Sequence, residues 1–131
     1  MNKRDEKSPS NLTYVDTKYK SLMFFNTTIR NVGLYTSVSI ALLGFATRMK
    51  TPNKGFTSLL LLLSSLAFLI FAIMLNYNLY TSMKGFEKDT PSHKEDYESW
   101  TRISELVFPV HLVIGLVLIG YIFYNIRNRM K

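Results

Sequence analysis

Three long stretches without a charged residue constrain this chain more than any other feature of its sequence. Residues 31–47, 55–83 and 106–126 are intervals of 17, 29 and 21 residues that contain no Asp, Glu, Lys or Arg. A helix rises about 1.5 Å per residue, so about 20 apolar residues cross the roughly 30 Å of hydrocarbon in a bilayer. The sequence therefore predicts an all-α integral membrane protein with three transmembrane helices in an antiparallel bundle.

The first interval is the shortest of the three, and the residues before it suggest a longer helix. Leu22, Phe25 and Ile29 are spaced i, i+3 and i+7, which places them on one face of a helix. We expect one helix over about residues 18–47, or an amphipathic interfacial helix that bends into the span near residues 31–33. In either arrangement its N-terminal half lies at the bilayer surface or against a partner.

Changes in composition divide the whole chain into seven segments. These are a polar N-terminal tail at 1–17, an amphipathic segment plus the first transmembrane helix at 18–47, a tight turn at 48–55, the second transmembrane helix at 56–83, a polar loop at 84–105, the third transmembrane helix at 106–126 and a basic C-terminal tail at 127–131. The third helix could start early, from about Ser92 or Ser99. Pro109 then lies either in its first turn or at a kink one turn into the membrane.

The distribution of charge predicts an orientation. The sequence has 16 Lys and Arg against 9 Asp and Glu, a net charge of +7. The 48–55 turn and the C-terminus share one side, where no acid occurs and where we expect six basic residues to contact lipid head groups: Arg48, Lys50, Lys54, Arg127, Arg129 and Lys131. Basic residues close to spans favour the cytoplasmic side. We therefore expect this turn and the C-terminus to face the cytoplasm or its topological equivalent.

Small and amide side chains mark candidate contacts between helices. Small residues spaced by four let two backbones approach closely in lipid, and buried amides seek partners on neighbouring helices. The predicted packing residues are Gly33, Ser37 and Ala41 on the first helix and Ser64, Ala67 and Asn76 on the second. For the amides, a transport site is the alternative interpretation.

No arrangement of residues in the sequence predicts catalysis, and no cofactor or metal ion is expected. The chain has no Cys, which excludes disulfides, thiolate catalysis and zinc–thiolate sites. His111 is the one ionisable side chain inside a clear span, and such residues are candidates for function. It lies only six residues after Glu105, so we expect a neutral imidazole hydrogen-bonded to a neighbouring helix or to head-group water. Proton transfer or metal binding is the alternative.

Aromatic residues lie near the expected ends of the spans. They are Tyr77, Tyr80, Trp100, Tyr121 and Tyr124. Trp and Tyr are enriched at both membrane–water interfaces, so we expect these residues in two interfacial belts. A role in binding a ligand is the alternative.

Residues 24–45, with the sequence FFNTTIRNVGLYTSVSIALLGF, resemble the first helix of a small three-span membrane family. That family includes YidH-like bacterial proteins and the membrane domain of vacuolar transporter chaperone subunits. Asn26 takes the place of the Asn in the family's Asn-Glu-Arg-Thr group, Thr36 and Ser37 take its Thr-Ser place, and Gly44 takes that of its late Gly. The residues after Asn26 depart from Glu-Arg, and the family's basic residue inside this span is absent. The resemblance implies the three-span fold, and polyphosphate binding does not carry over.

These features predict a non-enzymatic polytopic membrane subunit with a structural or assembly role in a larger complex. The amino-acid composition, rich in Asn, Lys and Tyr, is similar to that of proteins encoded by AT-rich genomes. It suggests a virion inner membrane or an organellar complex. The expected partners are the lipid bilayer and other membrane-protein subunits, or further copies of the chain, and not a specific nucleic acid. The alternative is a homo-oligomeric transporter or channel-like domain of the vacuolar transporter chaperone type. Basic residues inside a span would favour that alternative, and the sequence has none there.

Overall fold

A computed structural model describes residues 9–48, 54–89 and 94–130 of the chain, and these ranges contain helices and no strands. Helix α1 runs over Pro9–Arg48, α2 over Lys54–Asp89 and α3 over Lys94–Arg129. Each is long and apolar enough to cross a membrane. Helix α2 packs along both of its neighbours, whereas α1 and α3 touch much less. The predicted all-α, three-helix membrane architecture is confirmed.

The helices extend beyond the predicted segments. The predicted polar tail at 1–17 overlaps α1, which begins at Pro9. Helix α1 also continues through residues 31–33 as a single helix. Most of the predicted loop at 84–105 is helical, because α2 continues to Asp89 and α3 begins at Lys94, close to the expected early start near Ser92. The charged side chains of this segment that the structure describes lie on outward faces, and Glu87 and Lys94 approach to 3.8 Å. The early start of α3 also places Pro109 in the helix interior and not in its first turn.

The buried side chains of the three helices follow the alternating spacing of four and three residues that characterises coiled coils. On α2 they are Ser58, Leu62, Ser65, Leu69, Ala72, Asn76, Leu79 and Met83. On α1 they include Phe25, Val32, Ser39 and Ala46, and on α3 Tyr97, Thr101, Ser104, His111 and Leu118. One continuous seam therefore runs the length of the bundle, and many of its residues are small or polar.

Charged residues on neighbouring helices mark two levels of the bundle. Arg30 and Glu105 lie near one level, and Arg48 and Arg127 near the other, with all four side chains exposed. The 18 positions between the two α1 arginines correspond to about 27 Å of helix, and the 22 positions between Glu105 and Arg127 to about 33 Å. Both values are close to the roughly 30 Å of bilayer hydrocarbon. We therefore infer that these two levels are the membrane boundaries.

All three helices continue past the first boundary and form a projecting bundle, which we define as residues 9–29 of α1, 76–89 of α2 and 94–105 of α3. The α3 part, 12 residues, reaches about 18 Å beyond the boundary. No comparable projection exists at the other end within the described residues, since α1 ends at Arg48 and α3 at Arg129.

The projecting bundle has an aromatic core. The Phe25 ring of α1 stacks on the Trp100 ring of α3 with centroids 5.5 Å apart, and Trp100 meets Tyr97 edge-on at 5.3 Å. Leu79 and Met83 of α2 complete this cluster. Trp100 therefore packs between helices, and its place in an interfacial belt stays a prediction. Such rings bury large apolar areas, which gives the projecting bundle a core of its own.

Candidate helix-packing site

Helices α1 and α2 are held together by a reciprocal pair of serines deep in the membrane. The Ser39 hydroxyl donates to the Ser65 carbonyl oxygen at 2.9 Å, and the Ser65 hydroxyl donates to the Ser39 carbonyl oxygen at 2.6 Å. Both side chains are fully buried. Only a small side chain lets the two backbones come this close. The same contact gives each hydroxyl a hydrogen-bond acceptor, the carbonyl oxygen of the opposite serine.

Helices α2 and α3 are joined in a similar way at the membrane boundary. The Asn76 amide nitrogen donates to the Ser104 carbonyl oxygen at 2.9 Å, and the Ser104 hydroxyl lies 2.8 Å from the Asn76 amide oxygen and 3.1 Å from its carbonyl oxygen. Both side chains are fully buried. A buried amide without a partner would be strongly unfavourable, so this pair specifies the register of the two helices.

Helices α1 and α3 meet through Thr36 and His111. The Thr36 hydroxyl oxygen lies 2.7 Å from the Val32 carbonyl oxygen and 2.9 Å from Nε2 of His111. A threonine hydroxyl has a single proton, and a carbonyl oxygen can only accept. With that proton donated to Val32, Nε2 of His111 is the donor to Thr36. The predicted hydrogen bond from His111 to a neighbouring helix is confirmed.

The other ring nitrogen of His111 has no partner. Nδ1 makes no hydrogen bond, and it is the one buried side-chain nitrogen or oxygen without a partner among the described residues. The imidazole is almost completely buried at 1% exposure, although it lies only six residues inside the span.

The three helix pairs share one feature: a small or polar residue of one helix forms a hydrogen bond to a residue of the other helix.

The structure places most of the predicted packing residues elsewhere. Gly33, Ser37 and Ala41 are exposed, and a Cβ atom added to Gly33 would meet nothing within 4 Å. The Ser37 hydroxyl donates back to the carbonyl oxygen of Gly33 at 2.8 Å, within its own helix. These residues are not the contacts between the helices of this chain, because the seam passes through Ser39, two positions further along. Their packing against a helix of another subunit stays a prediction.

On the second helix, too, the buried small residue is not the one that the sequence predicted. Ser64 and Ala67 are exposed, whereas Ser65 and Asn76 are completely buried. The prediction of Asn76 as an interhelical contact agrees with its bonds to Ser104. Ser39, Ser65 and Ser104 were not predicted. A seven-residue repeat, such as Ser58–Ser65–Ala72 and Ser104–His111–Leu118, was the signal that would have found two of them.

The predicted lipid-contact residues lie at the basic end of the bundle where the structure describes them. Arg48 and Arg127 are exposed beside the boundary. Lys54 and Arg129 lie at helix ends, with their side chains outside the described part, and Lys50 and Lys131 lie outside the described residues altogether.

The tyrosines expected in the interfacial belts differ in exposure. Tyr77, Tyr121 and Tyr124 are exposed at the two boundaries, while Tyr80 meets Phe108 edge-on at 6.2 Å.

Chemistry at the described ionisable groups is sparse. The described part of the chain contains no group of three His, Cys, Asp or Glu residues that could hold a metal ion. In the projecting bundle, a hydrogen bond to Tyr80 raises the pKa of the Lys84 ammonium, whose nitrogen lies 5.1 Å from the centre of the Tyr80 ring.

No protein-family model, curated protein or solved structure matches the chain.

Proposed function

We propose that this membrane protein is a non-enzymatic subunit that acts in the assembly of a larger membrane complex. The observation that carries the proposal is an apolar stripe on the part of α1 that projects from the membrane. The stripe consists of Val15, Tyr19, Leu22 and Met23, all of them exposed. Their spacing of i, i+4, i+7 and i+8 places them on one face of the helix.

The position of this α1 stripe leaves it without a cover in the single chain. Helices α2 and α3 pack against a different face of α1, the face that carries Ser21, Phe25 and Thr28. Met23 lies seven residues before Arg30 and Val15 fifteen residues before it, about 10 and 22 Å along the helix from the boundary. Lipid hydrocarbon does not reach that far. A contiguous apolar face in that position fits a protein partner.

The membrane-embedded part supports a structural role over transport. In the described spans, the side chains between the boundary residues include no Lys, Arg, Asp or Glu. The polar groups of the seam bond to one another across helices and so hold the bundle together. A transport path would require polar groups that remain available to a solute. Among the described residues, Nδ1 of His111 is the one buried side-chain nitrogen or oxygen without a partner, and one such group does not form a path across the membrane.

Support for the setting of the complex comes from the sequence alone. The composition supports a virion inner membrane or an organellar membrane, and the basic end supports a cytoplasmic or equivalent location for the C-terminus. The partners in this proposal are other membrane-protein subunits that cover the α1 stripe. The likeness of residues 24–45 to the YidH-like family supports the architecture of the subunit and nothing about its partners.

The proposal is tested by charging the stripe and following the complex. Leu22→Glu adds a carboxylate to the stripe but stays outside the hydrocarbon, so insertion should survive while migration with the complex on blue-native gels is lost. Phe24→Glu is the matched control, because Phe24 is also exposed but lies roughly 100° or more around the helix from every residue of the stripe. If Leu22→Glu assembles as well as Phe24→Glu does, the stripe is not an assembly surface.

A further inference from the structure

The basic end of the bundle contains a cavity that the packing of the helices does not fill. Its volume is about 490 Å³, within the range of small-molecule sites. Thr47 of α1, Gly55 of α2 and Asn125 of α3 all line it, so it lies where the three helices end. These residues are close to Arg48 and Arg127, which mark the membrane boundary. The cavity is therefore at the level of the lipid head groups.

The cavity borders a shallow, open apolar groove on the outer face of α3. The groove has a volume of about 610 Å³ and is lined by Val117, Gly120, Tyr121 and Tyr124. The two tyrosines line the cavity as well, so the two spaces adjoin. A Cβ atom added to Gly120 would meet nothing within 4 Å, which leaves the floor of the groove open. A polar cavity at head-group level above an apolar groove has the shape of a phospholipid.

The polar side chains around the cavity offer hydrogen-bond donors. The Asn125 amide nitrogen donates to the Tyr121 carbonyl oxygen at 3.1 Å, which uses one of its two protons. The Asn128 amide and the hydroxyls of Tyr121 and Tyr124 form no hydrogen bond to the described part of the chain. A phosphodiester has only acceptor oxygens, and it matches this set of donors.

The charge at this end selects the kind of phospholipid. Arg48 and Arg127 are exposed and directly adjoin the lining residues Thr47 and Asn128 in the sequence. The acidic residues that the structure describes lie at position 16 or between positions 87 and 105, which is the opposite end of the bundle. A head group with a net negative charge is attracted to such an end, whereas the positive group of a zwitterionic lipid meets no Asp or Glu among the residues that line the cavity.

We propose that this cavity binds an anionic phospholipid, with its phosphate among Asn125, Asn128 and the tyrosine hydroxyls and one acyl chain in the groove over Gly120. The two arginines provide the preference for negative charge. The site differs from a diffuse attraction of basic residues to the membrane surface, because it has a defined volume and neutral donors. It is also independent of the assembly role proposed for α1, which concerns the other end of the molecule.

The test uses the full chain, purified in mild detergent and delipidated, and counts bound lipid by native mass spectrometry. Phosphatidylglycerol and phosphatidylcholine with identical acyl chains are compared, with inorganic phosphate as a third probe. We expect phosphatidylglycerol to bind at least tenfold more tightly than phosphatidylcholine, and inorganic phosphate at equal concentration not to displace it. Equal binding of the two lipids, or displacement by inorganic phosphate, overturns the proposal.

Variants then locate the binding. Asn128→Leu removes a donor at an exposed position, and we expect severalfold weaker binding of phosphatidylglycerol. Asn78→Leu is its control, because Asn78 is exposed near the opposite boundary. Gly120→Leu fills the groove and should weaken both lipids, whereas Gly33→Leu, at an equally open glycine, should weaken neither. If the cavity variants bind as the controls do, the lipid lies elsewhere. The selectivity of the unmodified protein tests the proposal even if a variant fails to fold.

Discussion

Ser39 and Ser65 each donate a hydroxyl hydrogen bond to the other's backbone carbonyl oxygen, and their hydroxyl oxygens lie only 3.0 Å apart. This exchange requires the backbones of α1 and α2 to lie almost in contact. In lipid there is little hydrophobic drive for helices to associate, so close packing and hydrogen bonds determine how they pair. The stability of the bundle should therefore depend on the seam residues and not on their neighbours.

Enlarging a seam residue should destabilise the bundle, whereas enlarging an exposed residue of the same span should not. We expect Ser39→Leu to lower the free energy of unfolding by about 1–3 kcal/mol through overpacking, or by more if the helices separate. Ser37→Leu, two residues away and exposed, should leave it nearly unchanged. Unfolding in detergent with increasing dodecyl sulfate measures both variants. Equal losses of stability would mean that Ser37 also packs inside this chain.

Asn76 and Asn78 provide a second matched pair. Asn76→Leu leaves the Ser104 carbonyl and hydroxyl without their partner, and a buried polar group without a partner costs about 1–3 kcal/mol. Asn78→Leu, on the exposed side of α2, should have little effect. A double-mutant cycle with Ser104→Ala should show coupling of about 0.6 kcal/mol, and at most about 1.7. A coupling of zero would show that the two side chains act independently.

His111→Gln tests whether the imidazole has a role beyond packing. A glutamine amide can still donate towards Thr36, and the Thr36 hydroxyl keeps its bond to the Val32 carbonyl oxygen. We expect a change in unfolding free energy of about 1 kcal/mol or less, the usual size of one hydrogen bond, and normal assembly on native gels. A variant that assembles normally but loses a proton- or metal-dependent activity would contradict this interpretation.

The aromatic core of the projecting bundle can be followed through Trp100, the single tryptophan of the chain. Phe25→Ala removes the ring stacked on it and should destabilise the protein by about 3–5 kcal/mol. The Trp100 emission should shift to the red as water reaches the indole. Phe24→Ala changes an exposed ring and should leave the emission unchanged. Identical spectra for both variants would place Trp100 outside the core.

Topology is directly measurable because the chain has no native Cys. Single cysteines at Arg48 and Asn128 should react with an impermeant maleimide from one side of the membrane, and a cysteine at Glu98 from the other. All three positions are exposed and lie beyond the boundary residues or at them. Labelling of Arg48→Cys and Glu98→Cys from the same side would contradict the spanning of α2. The same experiment in oriented membranes determines which side the C-terminus faces.

The sequence by itself determined the number of helices, their approximate spans and the lack of charge within them. The reason is energetic and local: each Lys, Arg, Asp or Glu in the hydrocarbon is strongly unfavourable, so uncharged intervals such as residues 106–126 locate the membrane whatever the packing. The same reasoning failed at 84–105. Counting charges there predicted a loop, although Tyr97 and Trp100 lie inward while Glu98 and Arg102 lie outward.

Only the tertiary structure decided which face of each helix meets the others. In a soluble helix the apolar face is the buried face, but a membrane span is apolar on all sides, so hydrophobicity does not distinguish Ser37 from Ser39 or Ser64 from Ser65. The choice depends on which small residues of three helices can come into contact simultaneously, and that is a property of the pairs. Ser39 is buried because Ser65 lies opposite it, and Asn76 because Ser104 does.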